Sequence, residues 1–390
     1  MKYLKILVIL LCIAFLPQLL SAQEVEKVDD GFQFTEGPVW KDGALLFSDI
    51  QGNKIYRWSP DSGTTVYRDP SGRSNGLTLD LQGRVVIAGH SARHIARLEN
   101  KDSLTILATH YKGSKFNSPN DIVVKSDSSI FFTDPLYGLN DIGGTPELDY
   151  CGVFRVSPAG KVYLLDSTLS SPNGLCFSPD ESLLYVAESN PMIRKIYVYD
   201  VVDDLIIANK RQFAYITQYG YLDGMKVDSD GRLFSSGPLG VVVFEPDGTP
   251  IDTIKIPGTS TPSNCNWGDE DGKTLYITAG PAVYKVRKTY SKISAPDKKN
   301  QKLKSFRLNK VYPNPFNPAT KISYELPKAS RVELSIYNLL GQRLDTLVSE
   351  TQAAGSYEYQ WRANDMPSGV YFCRLNADGF SASRKMILIR

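Results

Sequence analysis

Six short motifs between residues 36 and 266 each begin with a side chain that carries a carboxylate or amide oxygen. They are Glu36-Gly37-Pro38, Asn75-Gly76-Leu77, Asn120-Asp121-Ile122, Asn173-Gly174-Leu175, Asp223-Gly224-Met225 and Asn264-Cys265-Asn266. Oxygen ligands of this kind favour Ca²⁺, with Mg²⁺ or Mn²⁺ as lesser options. The three histidines, His90, His94 and His110, lie outside all six motifs, which counts against Zn²⁺. If the fold brings the six first residues together, they form a candidate metal site.

The same residues also have a purely structural interpretation, because Asn and Asp beside Gly often cap turns. That explanation is adequate for one motif but weak for six in register, two of which begin with an acid. Burying Glu36 and Asp223 near a common axis would be costly without a counter-charge, and a divalent cation supplies one. The pattern therefore favours a metal site over six independent turns.

Short β-strands must position these residues. Successive motifs are 39, 45, 53, 50 and 41 residues apart, and a period of ~40–50 residues is typical of a β-propeller. Each motif is followed by a predicted second strand, at Ala44–Asp49, Arg84–Ala88, Ser129–Thr133, Leu183–Ala187, Arg232–Ser235 and Thr274–Thr278. Third strands are predicted at Lys54–Trp58, His94–Leu98, Gly152–Val156, Lys195–Tyr199, Gly240–Phe244 and Ala282–Val286. We predict an all-β chain in which residues 23–289 form a six-bladed β-propeller, with the six first residues around its channel.

Three further features bear on the ring. The sixth predicted blade lacks a fourth strand. The strand-like segment Glu24–Phe32, which no other blade uses, would complete this blade and close the propeller. Pro135–Tyr150 is a long insertion in blade three that either covers the pocket or is a plain surface loop. His90 follows a second strand and either faces the pocket mouth or is a surface histidine. The alternative architecture for residues 23–289, two β-sandwiches, would not place the same type of residue at the first position of each motif.

Residues 31–288 resemble the gluconolactonase branch of the senescence-marker-protein/gluconolactonase family. The motifs that carry the resemblance are Thr35-Glu36-Gly37-Pro38-Val39-Trp40, Leu46-Phe47-Ser48-Asp49-Ile50, Ser74-Asn75-Gly76-Leu77-Thr78, Asn117-Ser118-Pro119-Asn120-Asp121, Phe132-Thr133-Asp134-Pro135, Ser171-Pro172-Asn173-Gly174, Asp223-Gly224 and Leu275-Tyr276-Ile277-Thr278-Ala279-Gly280. Their order over the whole region makes the match specific, although single pieces are weak.

The resemblance implies a divalent metal, usually Ca²⁺, held by Glu36, Asn173 and Asp223, with Asn120 as a ligand or substrate contact. It implies a lactone or related ester as substrate and Asp223 as the catalytic carboxylate. We expect further substrate contacts from Asn75, His90 and Asn264, in addition to Asn120. The run Gly89-His90-Ser91-Ala92-Arg93 departs from the Glu-His-Gly-Asn-Arg-like pattern of the family, which bears on substrate preference more than on metal binding.

Several functions fit these residues. Asp223 would orient or deprotonate water for attack on a lactone carbonyl, or attack it directly. A phosphotriesterase-like hydrolase of the same fold is one alternative. An exported propeller that binds glycans or peptides around a structural metal is another, because fold does not decide function. A Ser-His-Asp triad is disfavoured because the chain has no Gly-x-Ser-x-Gly elbow.

Both termini predict export. Met1–Ala22 has the basic start, short apolar run and small-residue exit of a signal peptide. Residues 290–309 are polar and lysine-rich and are predicted to be a linker. Residues 310–390 predict a small β-sandwich, Ig-like, and resemble the type A sorting domain of the type IX secretion system of Bacteroidetes-like bacteria. The resemblance is carried by Tyr312-Pro313-Asn314-Pro315-Phe316, Ile336-Tyr337-Asn338, Gly341, Gly355, Tyr357, Trp361, Gly369-Val370-Tyr371 and Arg384-Lys385. It implies passage through the periplasm to the cell surface or medium, while an adhesion module remains the alternative.

Charge and cysteine content limit the partners. The 390 residues carry a formal net charge of +2, which does not indicate a nucleic-acid binder. The charge is uneven, since residues 290–390 hold 16 Lys and Arg against 8 Asp and Glu. Cys151, Cys176, Cys265 and Cys373 show no metal-binding spacing, so buried free thiols are expected. We expect a monomer without a stable membrane span.

Overall fold

We describe the protein from a computed structural model covering residues 25–203, 206–258, 261–287, 306–309, 311, 314, 316–363 and 366–388. The chain divides into two compact units, Met1–Thr289 and Tyr290–Arg390. The predicted signal peptide and most of the predicted linker lie outside the described residues. No helix among the described residues is long and apolar enough to cross a membrane.

The first unit contains six four-stranded antiparallel sheets, which are the blades of a propeller. The chain begins with β1 (Glu26–Asp30). Blade one consists of β2 (Thr35–Lys41), β3 (Ala44–Asp49), β4 (Lys54–Ser59) and β5 (Gly63–Arg68), and blade two of β6 (Leu77–Leu79), β7 (Val85–Gly89), β8 (His94–Leu98) and β9 (Leu104–Ala108). After the hairpin of β10 (His110–Tyr111) and β11 (Ser114–Lys115), blade three consists of β12 (Ile122–Val124), β13 (Ile130–Asp134), β14 (Gly152–Val156) and β15 (Val162–Asp166). Blades four and five consist of β16 (Pro172–Phe177), β17 (Leu183–Glu188), β18 (Lys195–Asp203), β19 (Ile206–Tyr215); and β20 (Met225–Val227), β21 (Leu233–Gly237), β22 (Gly240–Phe244), β23 (Pro250–Ile254). The predicted six-bladed propeller is confirmed.

The sixth blade is completed by the N-terminus. Its strands are β24 (Asn264–Gly268), β25 (Thr274–Ala279) and β26 (Ala282–Arg287), and β1 pairs antiparallel with β26 as the fourth strand. The predicted closure is confirmed for the described part of Glu24–Phe32. Phe32 follows β1 in the chain, and the centroid of its ring lies 4.9 Å from the ring centroids of Phe47 and Tyr56 in blade one. The closing segment therefore joins the last blade to the first through both backbone pairing and aromatic packing.

The second strand of each blade is buried on both faces because blades pack face to face. All six residues of β3 are buried, as are all five of β7 and β13. Such strands are near-continuous apolar runs rather than alternating ones, which is why they are recognisable in the sequence. The apolar clusters lie between neighbouring blades, so each blade is stabilised by the next one around the ring.

We expect deletion of residues 23–33 to destabilise the propeller far more than deletion of residues 290–390. The first deletion exposes the edge of β26 and removes Phe32 from its aromatic contacts. Loss of this packing should cost at least about 2 kcal/mol, or roughly 5 °C in Tm. Calorimetry of both truncated proteins measures the difference, and equal losses of Tm would contradict the closing role of β1.

The insertion in blade three contains a helix, α1 (Tyr137–Asp141), the only helix assigned among the described residues. It follows β13 directly, and the inner part of the helix, Gly138 and Leu139, is buried. The insertion is thus folded onto the propeller at the end of β13.

The second unit contains two antiparallel sheets around one core. The sheets consist of β27 (Arg307–Leu308), β28 (Ala319–Leu326) and β31 (Gly355–Arg362), and of β30 (Arg343–Gln352), β29 (Ser330–Asn338), β32 (Gly369–Ala377) and β33 (Phe380–Leu388). Tyr324, Leu334, Trp361, Cys373 and Met386 belong to the shared core. Strands β28 and β29 alternate buried and more exposed residues, as expected when one sheet face is packed and the other meets water. The predicted small β-sandwich is confirmed.

Candidate functional site

The six motifs lie at the start of the first strand of each blade, and the glycines in four of them pack against the motif of the next blade. A Cβ atom on Gly174 would lie 2.4 Å from the Asp223 carbonyl oxygen, and one on Gly224 would lie 2.0 Å from the Asn264 side chain. The backbone of Gly224 instead donates a 2.7 Å hydrogen bond to the carbonyl of Ser263 in the next blade. In four of the six motifs, glycine therefore follows the polar residue because the adjoining blade leaves no room for a side chain.

A cavity of about 490 Å³ opens at this end of the channel. Six of the seven predicted site residues line it, namely Glu36, Asn75, His90, Asn120, Asn173 and Asp223. Asn264 does not belong to its wall. Its Nδ2 donates to Glu36 Oε2 at 3.1 Å, and its Oδ1 accepts from the Cys265 backbone N–H at 2.9 Å. The structure thus gives Asn264 a contact that holds Glu36, rather than the predicted position at the substrate.

The amide side chains of three successive blades form a directional chain of hydrogen bonds. Asn75 Nδ2 donates to Asn120 Oδ1 at 2.6 Å, and Asn120 Nδ2 donates to Asn173 Oδ1 at 2.6 Å. Asn173 in turn hydrogen-bonds the Asp223 carboxylate. Each amide is therefore oriented by its neighbour. Asn75 Oδ1, although buried, has no hydrogen-bond partner in the described part of the chain.

Two carboxyl groups, Glu36 and Asp223, share this site. Burial raises the pKa of Glu36 to about 7, and the hydrogen bonds from Gly37 N–H and Asn264 offset this rise only in part. Burial and the nearby charge of Glu36 raise the pKa of Asp223 well above its usual range. These shifts mean that ionising both carboxyl groups is costly when no cation is bound. Sites of this kind typically bind a cation or keep a proton.

Two more charged residues lie close to this pair. Asp121 is buried, accepts hydrogen bonds from the backbone N–H groups of Ile122 and Leu175, and adds negative charge near Glu36 and Asp223. Burial alone would lower the pKa of Lys226, but the charge of Asp121 raises it, so the ammonium stays protonated. Three carboxylates and one ammonium leave an excess of two negative charges when all are ionised.

His90 lies in the cavity wall as a neutral imidazole. Burial lowers its pKa to about 4, and the opposing effect of Asp141, whose carboxylate is 3.7 Å from Nε2, is smaller. Helix α1 covers the ring so closely that a Cβ on Gly138 would lie 2.4 Å from it. The same helix contributes Tyr137 to the cavity, where burial raises its phenol pKa to about 12 and keeps it protonated. The insertion therefore covers part of the pocket, as one of the two interpretations held.

Sequence reasoning missed several wall residues that share a position in the repeat. The residue directly after the second strand lines the cavity in four blades, as Ile50, His90, Ser189 and Pro238. Of these four, only His90 is predicted as a site residue from the sequence, because its side chain can take part in chemistry. The repeat register would have identified the other three. Phe34, Tyr219 and Tyr221 also line the cavity, but they lie on loops without a repeating signal.

Other groups of metal-binding type are absent from the described residues. No cluster there contains three or more His, Cys, Asp or Glu side chains arranged to hold an ion. The predicted set at the ring has two carboxylates and two amides, and so is not a cluster of that kind. Cys151, Cys176, Cys265 and Cys373 are buried free thiols, as expected.

Residues 34–280 match the family profile described as the SMP-30/Gluconolactonase/LRE-like region. The chain belongs to this family. A gluconolactonase of Zymomonas mobilis is 37% identical over 288 residues, which cover 67% of this chain and 81% of that protein. This bears out the resemblance inferred from the motifs.

Solved structures of the SMP-30/gluconolactonase family share the propeller. The gluconolactonase of Xanthomonas campestris is 34% identical, with a TM-score of 0.64 over 68% of this chain and 90% of that one. Regucalcin of Agrobacterium tumefaciens, described as a calcium-binding protein, is 18% identical, with a TM-score of 0.58 over 69% of this chain and 96% of that one, and shows the fold alone. Residues 310–389 match the secretion system C-terminal sorting domain.

Proposed function

We propose that this protein hydrolyses sugar lactones in the cavity at the end of its propeller channel. The observation that carries the proposal is the convergence of two carboxyl groups, the buried Glu36 and the half-buried Asp223, with oriented amides on one open cavity. The similarity to the gluconolactonases of Zymomonas mobilis and Xanthomonas campestris supports a lactone as substrate.

We further propose that Glu36, Asn173, Asp223 and Asn120 hold a divalent cation, Ca²⁺. The residues fit such an ion in number and type, because all four offer hard oxygen ligands. The excess of two negative charges around Asp121 and Lys226 would be neutralised by one divalent cation. A bound cation would also oppose the rise that burial causes in the pKa values of Glu36 and Asp223, since opposite charge favours ionised carboxylates.

When bound, a divalent cation would supply positive charge that polarises a carbonyl or a water molecule at the cavity floor. Asp223 is only half-buried and faces the cavity, so its carboxylate can accept a proton from water there. The water oxygen joins the lactone carbonyl carbon, the ring C–O bond breaks, and a carboxylate, a hydroxyl group and a proton result. A modest base suffices because lactones are activated esters.

The other ring residues position these groups. Asn173 bonds Asp223 and is itself held by Asn120, so the amide chain fixes the direction of the catalytic carboxylate. Asn75 and His90 also line the cavity, and Asn75 Oδ1 and His90 Nδ1 have no hydrogen-bond partner in the described residues. We assign them to the hydroxyl groups of the substrate.

Turnover of a lactone panel tests the proposal. Lactone opening releases a proton, so a pH indicator in weak buffer should report hydrolysis of glucono-1,5-lactone and other aldonolactones above the spontaneous rate. Phosphotriesters and simple aryl esters serve as controls for the reaction class. Hydrolysis confined to phosphotriesters would overturn the substrate class. No turnover of any compound, together with tight glycan binding, would favour a binding platform instead.

We also propose a route for this enzyme out of the cell. The sorting domain at residues 310–389 indicates secretion or attachment to the cell surface, and a Bacteroidetes-like host with a type IX system would provide the route from the periplasm. Deletion of residues 310–390 should leave the propeller in the periplasm, as measured by cell fractionation. Arrival of the truncated protein in the medium of intact cells would contradict the assignment.

A further inference from the structure

Two exposed tyrosines stand at the mouth of the cavity, on the connection between β19 and β20. Tyr219 is 63% exposed and Tyr221 is 58% exposed. Both line the same cavity as Glu36 and Asp223. Large exposed aromatic side chains that gather at an open pocket are typical of ligand contacts, whereas single ones scattered over a surface need no explanation.

The backbone that carries the tyrosines is anchored at both ends and in the middle. Ile216 and Leu222 are buried in the apolar cluster between blades four and five. Gly220, at φ +146°, lies against Pro238, and a Cβ there would come within 2.6 Å of the proline ring. Pro238 itself belongs to the cavity wall. The tyrosine rings are therefore presented by a connection that packs on the scaffold.

The cavity changes in character from floor to rim. Its floor is formed by carboxylates and amides, while Tyr219 and Tyr221 place two aromatic rings in the exposed part of the wall, which also includes the polar side chains of Gln51 and Asp141. Its volume of about 490 Å³ falls within the ~300–1,000 Å³ of sites that enclose drug-sized ligands, which are larger than one six-membered lactone. A pyranose ring has an apolar C–H face and a polar hydroxyl edge. It thus matches a tyrosine, which combines an apolar ring with a polar tip.

We propose that Tyr219 and Tyr221 form a glycosyl subsite, so that the preferred substrate is an aldonolactone bearing a second sugar. This inference rests on the proposed lactone hydrolysis. The lactone ring occupies the floor beside Asp223, and the attached sugar stacks on the tyrosines at the rim. Water adds to the lactone carbonyl carbon and the ring C–O bond breaks as before, while the glycosidic bond between the two sugars stays intact.

Comparison of cellobiono-1,5-lactone with glucono-1,5-lactone tests the subsite in the full-length enzyme. We expect kcat/KM to be about tenfold higher for the disaccharide lactone, a factor that corresponds to about 1.4 kcal/mol of additional binding to the two rings together. The double variant Tyr219→Ala/Tyr221→Ala should lower this ratio about tenfold, chiefly through KM for the disaccharide lactone. Calorimetric binding of the product cellobionate should weaken in parallel, which gives a readout independent of turnover.

Two controls separate stacking from general damage. The double variant Tyr219→Phe/Tyr221→Phe keeps both rings and should retain the preference for the disaccharide lactone. Tyr215→Ala removes an exposed tyrosine of β19 that does not line the cavity, and it should leave the ratio unchanged. If wild type opens glucono-1,5-lactone but shows no preference, or if the alanine variant keeps the ratio, the subsite is wrong and lactone hydrolysis stands. If wild type opens neither lactone, the proposed function itself fails.

Discussion

Replacing Asp223 by asparagine is expected to lower the rate of lactone hydrolysis at least about 100-fold, the lower range for a positioned acid–base group. The amide keeps the shape and can still accept the hydrogen bond from Asn173, but it cannot take a proton from water. The initial rate with glucono-1,5-lactone at saturating Ca²⁺ measures the effect, after subtraction of the spontaneous rate. A loss in kcat rather than in KM is expected, because the carboxylate acts on the reacting atoms.

Metal content must be controlled in this comparison, because Asp223 is also a proposed ligand. Wild type and variant should be compared at equal bound Ca²⁺, determined by elemental analysis. Asp247→Asn provides a matched control in the same blade, since Asp247 lies in an exposed turn and accepts a hydrogen bond from the Thr249 N–H outside the cavity. It should change the rate less than twofold. A metal-loaded Asp223→Asn enzyme with more than a tenth of the wild-type rate would remove the base role from Asp223.

Removing the cation with EGTA is expected to abolish activity and to lower Tm, more at pH 8 than at pH 5. The Glu36 carboxyl has a pKa of about 7 in the folded protein without a cation, raised by burial from its usual value of 4.5. The folded state therefore binds the proton more tightly than the unfolded chain, and stability falls as pH rises from 4.5 through 7. A free Ca²⁺ concentration of 100 times the Kd would add about 2.7 kcal/mol to the free energy of unfolding.

Calorimetry of apo and Ca²⁺-loaded protein across this pH range measures both effects. Glu36→Gln supplies the control, because it removes the buried charge while an amide oxygen can still accept from Gly37 N–H and Asn264. Without metal at pH 8 the variant should melt above wild type, and Ca²⁺ should no longer raise its Tm. Equal stabilisation of wild type and variant by Ca²⁺, or active wild-type protein that contains no divalent ion, would contradict the proposed site.

The fold was predictable because a propeller repeats its constraints. The second strand of each blade is buried on both faces, so its sequence is an apolar run that can be recognised. The sequence accordingly predicts β3 at its observed bounds, Ala44–Asp49. The motif glycines mark places where the next blade excludes a side chain, as at Gly174. Closure by the N-terminal strand was also predictable, since the sixth repeat lacked a strand and an unpaired run remained.

The ring of polar residues followed from the repeat as well, but the shape of the cavity did not. Asn264 occupies the sixth equivalent position, yet its side chain turns to Glu36 and leaves the wall. Position in a repeat determines where a Cα atom lies, whereas the contacts of a side chain depend on the neighbouring blade. No local pattern in the sequence carries that information.

By itself, the sequence determined the export signals of the C-terminal domain, the number of blades and the set of oxygen-bearing side chains around the channel. These properties depend on local periodicity and on motifs whose residues are near one another in the chain. Only the tertiary structure decided that Glu36 and Asp223 share one buried site, that α1 covers His90, and that Tyr219 and Tyr221 stand at the rim. The reason is physical, because burial, raised pKa values and cavity walls arise between residues that are brought together only when the ring closes.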